Sequence, residues 1–207
     1  STLVGLLARL RDVPPGTVFL DGLDVDAVPV DALRAAFAFV PQDGFLFSAS
    51  IRDNVAYARA TPPGDAEVRA ALDAAGLGTD LDAMPDGMAT VVGERGITLS
   101  GGQRQRATIA RALVADAPVL VVDDALSAVD TRTEARILDE LRRARAGRTA
   151  TVVAHRLSTV RDADRILVLD GGRVIESGTY DELAAAGGWY ARTWRAQRLM
   201  TAMEELA

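Results

Sequence analysis

The sequence predicts an α/β protein: a mainly parallel sheet with a helical lobe inserted into it. Three stretches carry this. Val119-Leu120-Val121-Val122 is a continuous apolar run with β-branched bias, the pattern of a parallel strand buried on both faces, and it ends on Asp123-Asp124. Phe37-Ala38-Phe39-Val40 reads as a second buried strand, stopped by Pro41. Residues 50–93 hold no strong strand; 51–57 and 65–75 read as helices, with breaks at Pro62-Pro63-Gly64 and at 76–78.

The remaining elements follow in order. Leu3, Leu6, Leu7 and Leu10 share one helical face, and Pro14-Pro15-Gly16 ends that helix. Thr17-Val18-Phe19-Leu20 before Asp21-Gly22 is a strand entering a tight turn, and 32–36 is a short helix. Residues 131–146 form a helix with Asp130 as a plausible N-cap, and 148–154 a further strand. Residues 165–169 and 173–176 flank Asp170-Gly171-Gly172 as a hairpin, and Thr179-Tyr180-Asp181-Glu182 is a capping box opening a helix. Trp189, Tyr190 and Trp194 belong to a last amphipathic helix whose aromatic rings pack on the domain. No internal repeat or low-complexity linker interrupts the chain.

Composition removes several classes of function. With 207 residues, 49% apolar and 25% charged, the chain has the makeup of a folded globular protein. A net charge of −6 offers no general basic surface for a nucleic-acid backbone. There is no cysteine and only one histidine, which removes disulfide frameworks, thiolate metal sites and histidine clusters, and fits a reducing compartment. No apolar run reaches membrane length, and the first residues lack a secretory pattern. Every basic residue is arginine.

Chemistry concentrates at strand ends and at one helix start. Leu99-Ser100-Gly101-Gly102-Gln103 opens an Ala/Arg/Ile/Leu-rich segment of good helix propensity, so backbone N–H groups and a helix dipole converge where an anion can sit. A flexible turn before an ordinary helix fits the same five residues. Asp123 and Asp124 close a buried strand, and a strand-end aspartate suits the Mg²⁺ of a nucleoside triphosphate; an N-cap pair is the alternative. Gln42 and His155 follow other strands at the same sheet edge, where open α/β sheets place ligand chemistry, although each fits a solvated or structural role as well.

Taken together, these residues resemble the nucleotide-binding domain of ABC transporters, and of exporters in particular. Phe39-Val40-Pro41-Gln42-Asp43 is similar to the Q-loop, and residues 90–96 to the exporter X-loop. Leu99 to Gln103 reproduces the LSGGQ signature, residues 120–124 resemble Walker B, 127–130 the D-loop, and His155 the switch histidine. The motifs stand in register over essentially the whole chain.

The resemblance implies a P-loop NTPase (RecA-like) core with an inserted α-helical signature subdomain. Residues 1–49 and 115–180 would form the core, 50–114 the helical subdomain, and 181–207 the C-terminal helices. It implies ATP and Mg²⁺ as ligands, with Asp124, His155 and Gln42 in the catalytic set. Ser1, Thr2, Ser100, Gly101, Gly102, Gln103 and Asp130 would bind nucleotide, and Ser1, Gln42 and Asp123 would serve the metal. It also implies a head-to-tail dimer of two such domains, attached transmembrane helices fused upstream, the cytoplasmic face of the cell membrane as location, and no nucleic-acid partner.

Two departures qualify the resemblance. The pattern G-x-x-x-x-G-K-[ST] would end at Ser1 or Thr2, so its glycines and lysine are missing and the chain reads as a piece of a longer gene, by itself inactive. Asp124 stands where active relatives carry glutamate, one methylene longer, and a base must lie within about 2.6–3.2 Å of the proton it takes, directly or through one water. That suggests the degenerate-site half of a heterodimer; aspartate acting as base in a homodimer is the alternative. A non-catalytic regulatory domain, a soluble DNA-maintenance ATPase and an importer subunit are the other readings considered.

Overall fold

The computed structural model describes residues 2–93, 99–126, 131–144 and 147–204, which form two compact units, Ser1–Val153 and Ala154–Ala207.

In the first unit, α1 (Thr2–Leu7) is followed by β1 (Phe19–Leu20) and β2 (Leu23–Asp24), a two-residue antiparallel pair. Asp21 and Gly22 both take positive φ, 49° and 80°, the left-handed turn that the Asp-Gly dipeptide predicts. Next come α2 (Val30–Ala35), β3 (Phe37–Val40), α3 (Ile51–Ala56), α4 (Asp65–Ala74), α5 (Gly78–Asp82), α6 (Gly101–Val114), β4 (Val119–Asp123), α7 (Thr131–Ala144) and β5 (Thr149–Val153). The sheet runs β3-β4-β5, parallel throughout, with Val40 opposite Val122 and Asp123 opposite Val153. All five residues of β4 are buried, as its unbroken apolar run requires.

The break expected at 76–78 is shorter than the sequence suggests. Gly76, at φ 77°, ends α4: the Leu77 N–H reaches back 2.8 Å to the Leu72 carbonyl in a Schellman-type closure. Gly78 then begins α5, which buries Leu81 beside Leu77. A five-residue helix is too short to announce itself by periodicity, and burial of these two leucines is what forms it. The strand expected from Thr17 forms ladder pairs only from Phe19.

Helices α3, α4 and α6 pack around Ile51, Val55, Val68, Leu72, Ile109 and Ala110, and this cluster continues into Val40 and Val122 of the sheet. The other sheet face carries Val121, with Val4 of α1 packed against it. The sheet is therefore covered on both faces, which fixes the strands whose ends carry the candidate residues.

The second unit holds the antiparallel β6 (Ile166–Asp170) and β7 (Arg173–Gly178), then α8 (Tyr180–Ala186) and α9 (Trp189–Glu204). The predicted capping box is present: the Thr179 hydroxyl accepts from Glu182 N–H, and Glu182 accepts from Thr179 N–H at 2.8 Å. Glu176 accepts from the Trp189 and Tyr190 N–H groups, placing a carboxylate at the positive end of α9. Of the three aromatics expected to pack, Tyr190 is fully buried against Leu157, Ile166, Val168 and Leu183, Trp194 lies against that cluster, and Trp189 is exposed.

The Tyr190 hydroxyl is buried with no hydrogen-bond partner, and burial pushes its pKa up. An unsatisfied buried hydroxyl costs about 1–3 kcal/mol. Tyr190→Phe should leave the thermal unfolding midpoint equal to or above that of the parent; a drop of several degrees would show that the hydroxyl is satisfied.

Candidate functional site

Helix α6 begins with a reciprocal cap. The Ser100 hydroxyl accepts from Gln103 N–H at 3.2 Å, while the Gln103 side-chain oxygen accepts from Ser100 N–H at 3.0 Å. The sequence Ser-x-x-Gln carries this signal, although the glycine pair draws attention first. The remaining first-turn N–H groups have no acceptor within the helix, so the turn can receive an anion. Gly101 is exposed, and a Cβ there would meet nothing within 4 Å, so no packing inside the chain demands a glycine.

Farther along α6, the helix grips the segment that follows β3. Gln105 is buried and donates to the Pro41 carbonyl at 3.3 Å, one residue before Gln42. Gly44 approaches so closely that a Cβ would lie 2.9 Å from the Thr108 hydroxyl and 3.4 Å from the Arg104 carbonyl; Thr108 is itself held on that carbonyl at 3.0 Å. Arg111 donates to the Phe45 carbonyl at 2.9 Å, the Asn54 carbonyl at 2.8 Å and the Asn54 side-chain oxygen at 3.0 Å, and stacks over Phe47. Burial pulls the Arg111 guanidinium below its usual value, an effect Tyr57 opposes, and a guanidinium remains charged there. Asn54 also accepts from Phe47 N–H at 2.8 Å and donates to the carbonyls of Phe47 and Ser50. These contacts fix the backbone from Pro41 to Ser50, and they leave Phe45, Phe47 and Tyr57 as an exposed cluster of touching rings. Val92, within the expected X-loop, is buried and its N–H bonds the Ala49 carbonyl; residues 94–96 lie outside the described residues. No sequence pattern marks Asn54 or Arg111.

At the sheet edge, Gln42 and the Asp123-Asp124 pair leave neighbouring parallel strands at the same end. Gln42 is exposed, Asp123 is 5% exposed, and Asp124 is intermediate. Asp124 takes φ 48°, the left-handed region that aspartate tolerates better than most side chains, and its N–H bonds the Val153 carbonyl at 2.9 Å. The donors here are a carboxylate and an amide carbonyl, hard oxygens of the kind Mg²⁺ takes, and Mg²⁺ needs few protein ligands. Among the described residues no cluster of three or more His, Cys, Asp or Glu side chains forms. Thr2 is exposed at the start of α1. Ser1 and Asp130 lie outside the described residues.

His155 belongs to the second unit, two residues beyond β5, and is exposed. Gln197 of α9 clamps its backbone, donating to the His155 carbonyl at 2.8 Å and accepting from Leu157 N–H at 2.9 Å. A glutamine 42 residues downstream gives no sequence signal of this.

A family profile described as ABC transporter matches residues 1–127. An ATP-dependent lipid A-core flippase of Burkholderia orbicola (strain AU 1054) is 49% identical over 197 residues, covering 95% of this chain and 33% of the flippase. A probable multidrug resistance ABC transporter ATP-binding/permease protein of Bacillus subtilis (strain 168) is 45% identical, covering 94% and 34% respectively. A mycobactin import ATP-binding/permease protein of Mycolicibacterium thermoresistibile is 47% identical, covering 96% and 34%. The chain thus spans about a third of the length of these curated relatives. The solved structure of a bacterial Atm1-family ABC exporter with ATP bound superposes with a TM-score of 0.91 at 45% identity, over 95% of this chain and 35% of that one.

The grip of α6 on Gly44 is open to a double-mutant cycle. Gly44→Ala should destabilise by about 1–3 kcal/mol in urea unfolding, because the Thr108 hydroxyl has no free space to yield. Adding Thr108→Ala should recover the greater part of that loss; strict additivity would show that the close approach does not exist.

Proposed function

Since the chain belongs to the ABC transporter family, as a nucleotide-binding domain of exporter type with the P-loop NTPase fold, we propose that it binds and hydrolyses ATP at a head-to-tail dimer interface and so drives transport across a membrane. Within this reading, residues 1–49 and 115–180 are the ATP-binding core, 50–114 the signature-bearing helical subdomain and 181–207 the C-terminal helices.

The observation that carries the reading is the first turn of α6. Because Ser100 already accepts the Gln103 N–H, its own hydroxyl proton is left to donate outward, alongside the Gly101 and Gly102 N–H groups. Together they form a donor set for the terminal phosphate of a nucleotide held by the opposing domain. Gln103 does not reach outward: both ends of its amide are engaged within the chain, so it holds the turn that the other three present. On the chain's own nucleotide, Asp123 and Gln42 offer oxygens to Mg²⁺, which when bound neutralises phosphate charge. Asp124 orients or deprotonates the attacking water, His155 contacts the γ-phosphate, and Ser1, Thr2 and Asp130 complete the nucleotide contacts.

The reading extends to partners. Phe45, Phe47 and Tyr57 form an exposed aromatic face that suits the apolar side chains of a transmembrane part. Among the described residues no helix is long and apolar enough to cross a membrane. Relatives described as ATP-binding/permease proteins, of which this chain covers about a third, support a separate membrane part that holds the domain at the cytoplasmic face. The relatives include a lipid A-core flippase and a mycobactin import protein, so direction and cargo belong to each of them. Asp124, one methylene shorter than glutamate, supports a weak site on this chain, with Ser100 to Gln103 serving the stronger site of a different partner domain. The same aspartate favours a second reading, a regulatory domain that holds nucleotide without turnover.

In the intact transporter, Asp124→Glu should raise ATP turnover at least about threefold, since one pK-matched base in reach contributes about 10²–10⁴-fold in general. Unchanged or lower turnover would remove the weak-site argument. Gly101→Ala should leave the unfolding midpoint equal or raised, because alanine is the better helix former, while cutting turnover about tenfold. Full turnover with Gly101→Ala would mean that the first turn of α6 meets no phosphate.

A further inference from the structure

Helix α5 sends one carboxylate to the start of α6. Asp80 accepts from the Gln103 side-chain NH₂ at 2.7 Å with one oxygen and from the Arg106 guanidinium at 2.9 Å with the other. The pair is largely shielded, with the Arg106 side chain 14% exposed and that of Asp80 27% exposed. Among the described residues the buried Arg106 Nε has no hydrogen-bond partner, and the Asp80 carboxylate offsets the burial of this cation. The other carboxylate of α5, Asp82, is tied to Arg69 of α4 at 2.9 Å, so the short helix is held on both sides.

We infer that Asp80 is a positioning residue for the phosphate-binding turn, acting by fixing which end of the Gln103 amide faces Ser100. Gln103 has one acceptor end and one donor end. The capping box needs the acceptor end at Ser100 N–H, and an acceptor placed opposite the donor end locks that orientation. Asp80 is that acceptor. Turned the other way, the amide would face Ser100 N–H donor to donor, and the cap would lose that half, loosening the first turn whose N–H groups and Ser100 hydroxyl face outward. A carboxylate can meet Gln103 and Arg106 together because both its oxygens accept. An asparagine has a single acceptor, which the cation takes, and its NH₂ would then oppose that of Gln103.

This inference rests on the ATPase reading, and the test separates the two. ATP turnover, nucleotide affinity without turnover and thermal unfolding are measured on the intact, membrane-embedded transporter carrying Asp80→Asn, Gln103→Glu, and the two combined. Asp80→Asn should lower kcat about tenfold while nucleotide affinity stays within about twofold and the midpoint falls only slightly, because this turn serves the opposing domain's nucleotide in the closed state. Gln103→Glu sets two carboxylates against each other and should also lower kcat. The combination restores a matched set: the introduced glutamate accepts from Ser100 N–H and from the NH₂ of the introduced asparagine, whose oxygen accepts from Arg106. It should recover kcat to within about threefold of the parent. A parental kcat in Asp80→Asn, or a combined variant no better than Asp80→Asn, overturns the role of Asp80 and leaves the ATPase reading standing. A parental transporter that hydrolyses no ATP overturns that reading, and the inference with it.

Discussion

The rest of the first unit depends on one helix being fixed at both ends and along its side. Fourteen residues of α6 span about 21 Å, and each turn makes a different polar attachment. Ser100 and Gln103 close the first turn on itself, Asp80 ties it to α5, Gln105 and Thr108 hold the strand exit at Pro41 and Gly44, and Arg111 gathers the carbonyls of Phe45 and Asn54. Apolar packing around Ile109 and Ala110 supplies the stability, and it would allow some sliding; the polar attachments set the register. The exit of β3, which carries Gln42, and the turn proposed to meet phosphate are therefore parts of one rigid piece.

Arginine does the farthest-reaching part of this tying. With no lysine anywhere in the chain, every cation is a planar fork of several donors, suited to collecting backbone carbonyls that loops leave unpaired. Arg111 does so for residues 45–54, and Arg9 does the same for the segment after β2, donating to the carbonyls of Val25 and Val28. Surface ion pairs such as Arg52–Asp65 contribute little beside these.

The parts legible in the sequence are those set by local pattern. The apolar run of β4, the Asp-Gly turn at 21–22, the Thr179 capping box and the helices at 51–56 and 65–74 form where periodicity and caps place them. Gln42 and the two aspartates could be placed at one sheet edge because strand ends in a parallel sheet share an edge. What stays hidden depends on partners distant in sequence. Asp80, Asn54, Arg111 and Gln197 reach across 23, 57, 57 and 42 positions, and no spacing rule links such pairs. Helix α5 is hidden for a related reason, since two leucines make a helix there only once a core exists to bury them.

Asp124 joins backbone and side chain in a way that bears on how such a site changes over time. Its left-handed backbone, pinned by the hydrogen bond to Val153, suits a short polar side chain and is less comfortable for a longer one. Here the aspartate is the residue that its own peptide geometry accepts with little strain. Lengthening the acid would extend its reach toward a water molecule and load the turn with conformational energy at the same time. Were hydrolysis carried by a partner domain, as proposed above, aspartate here would leave the strand end relaxed.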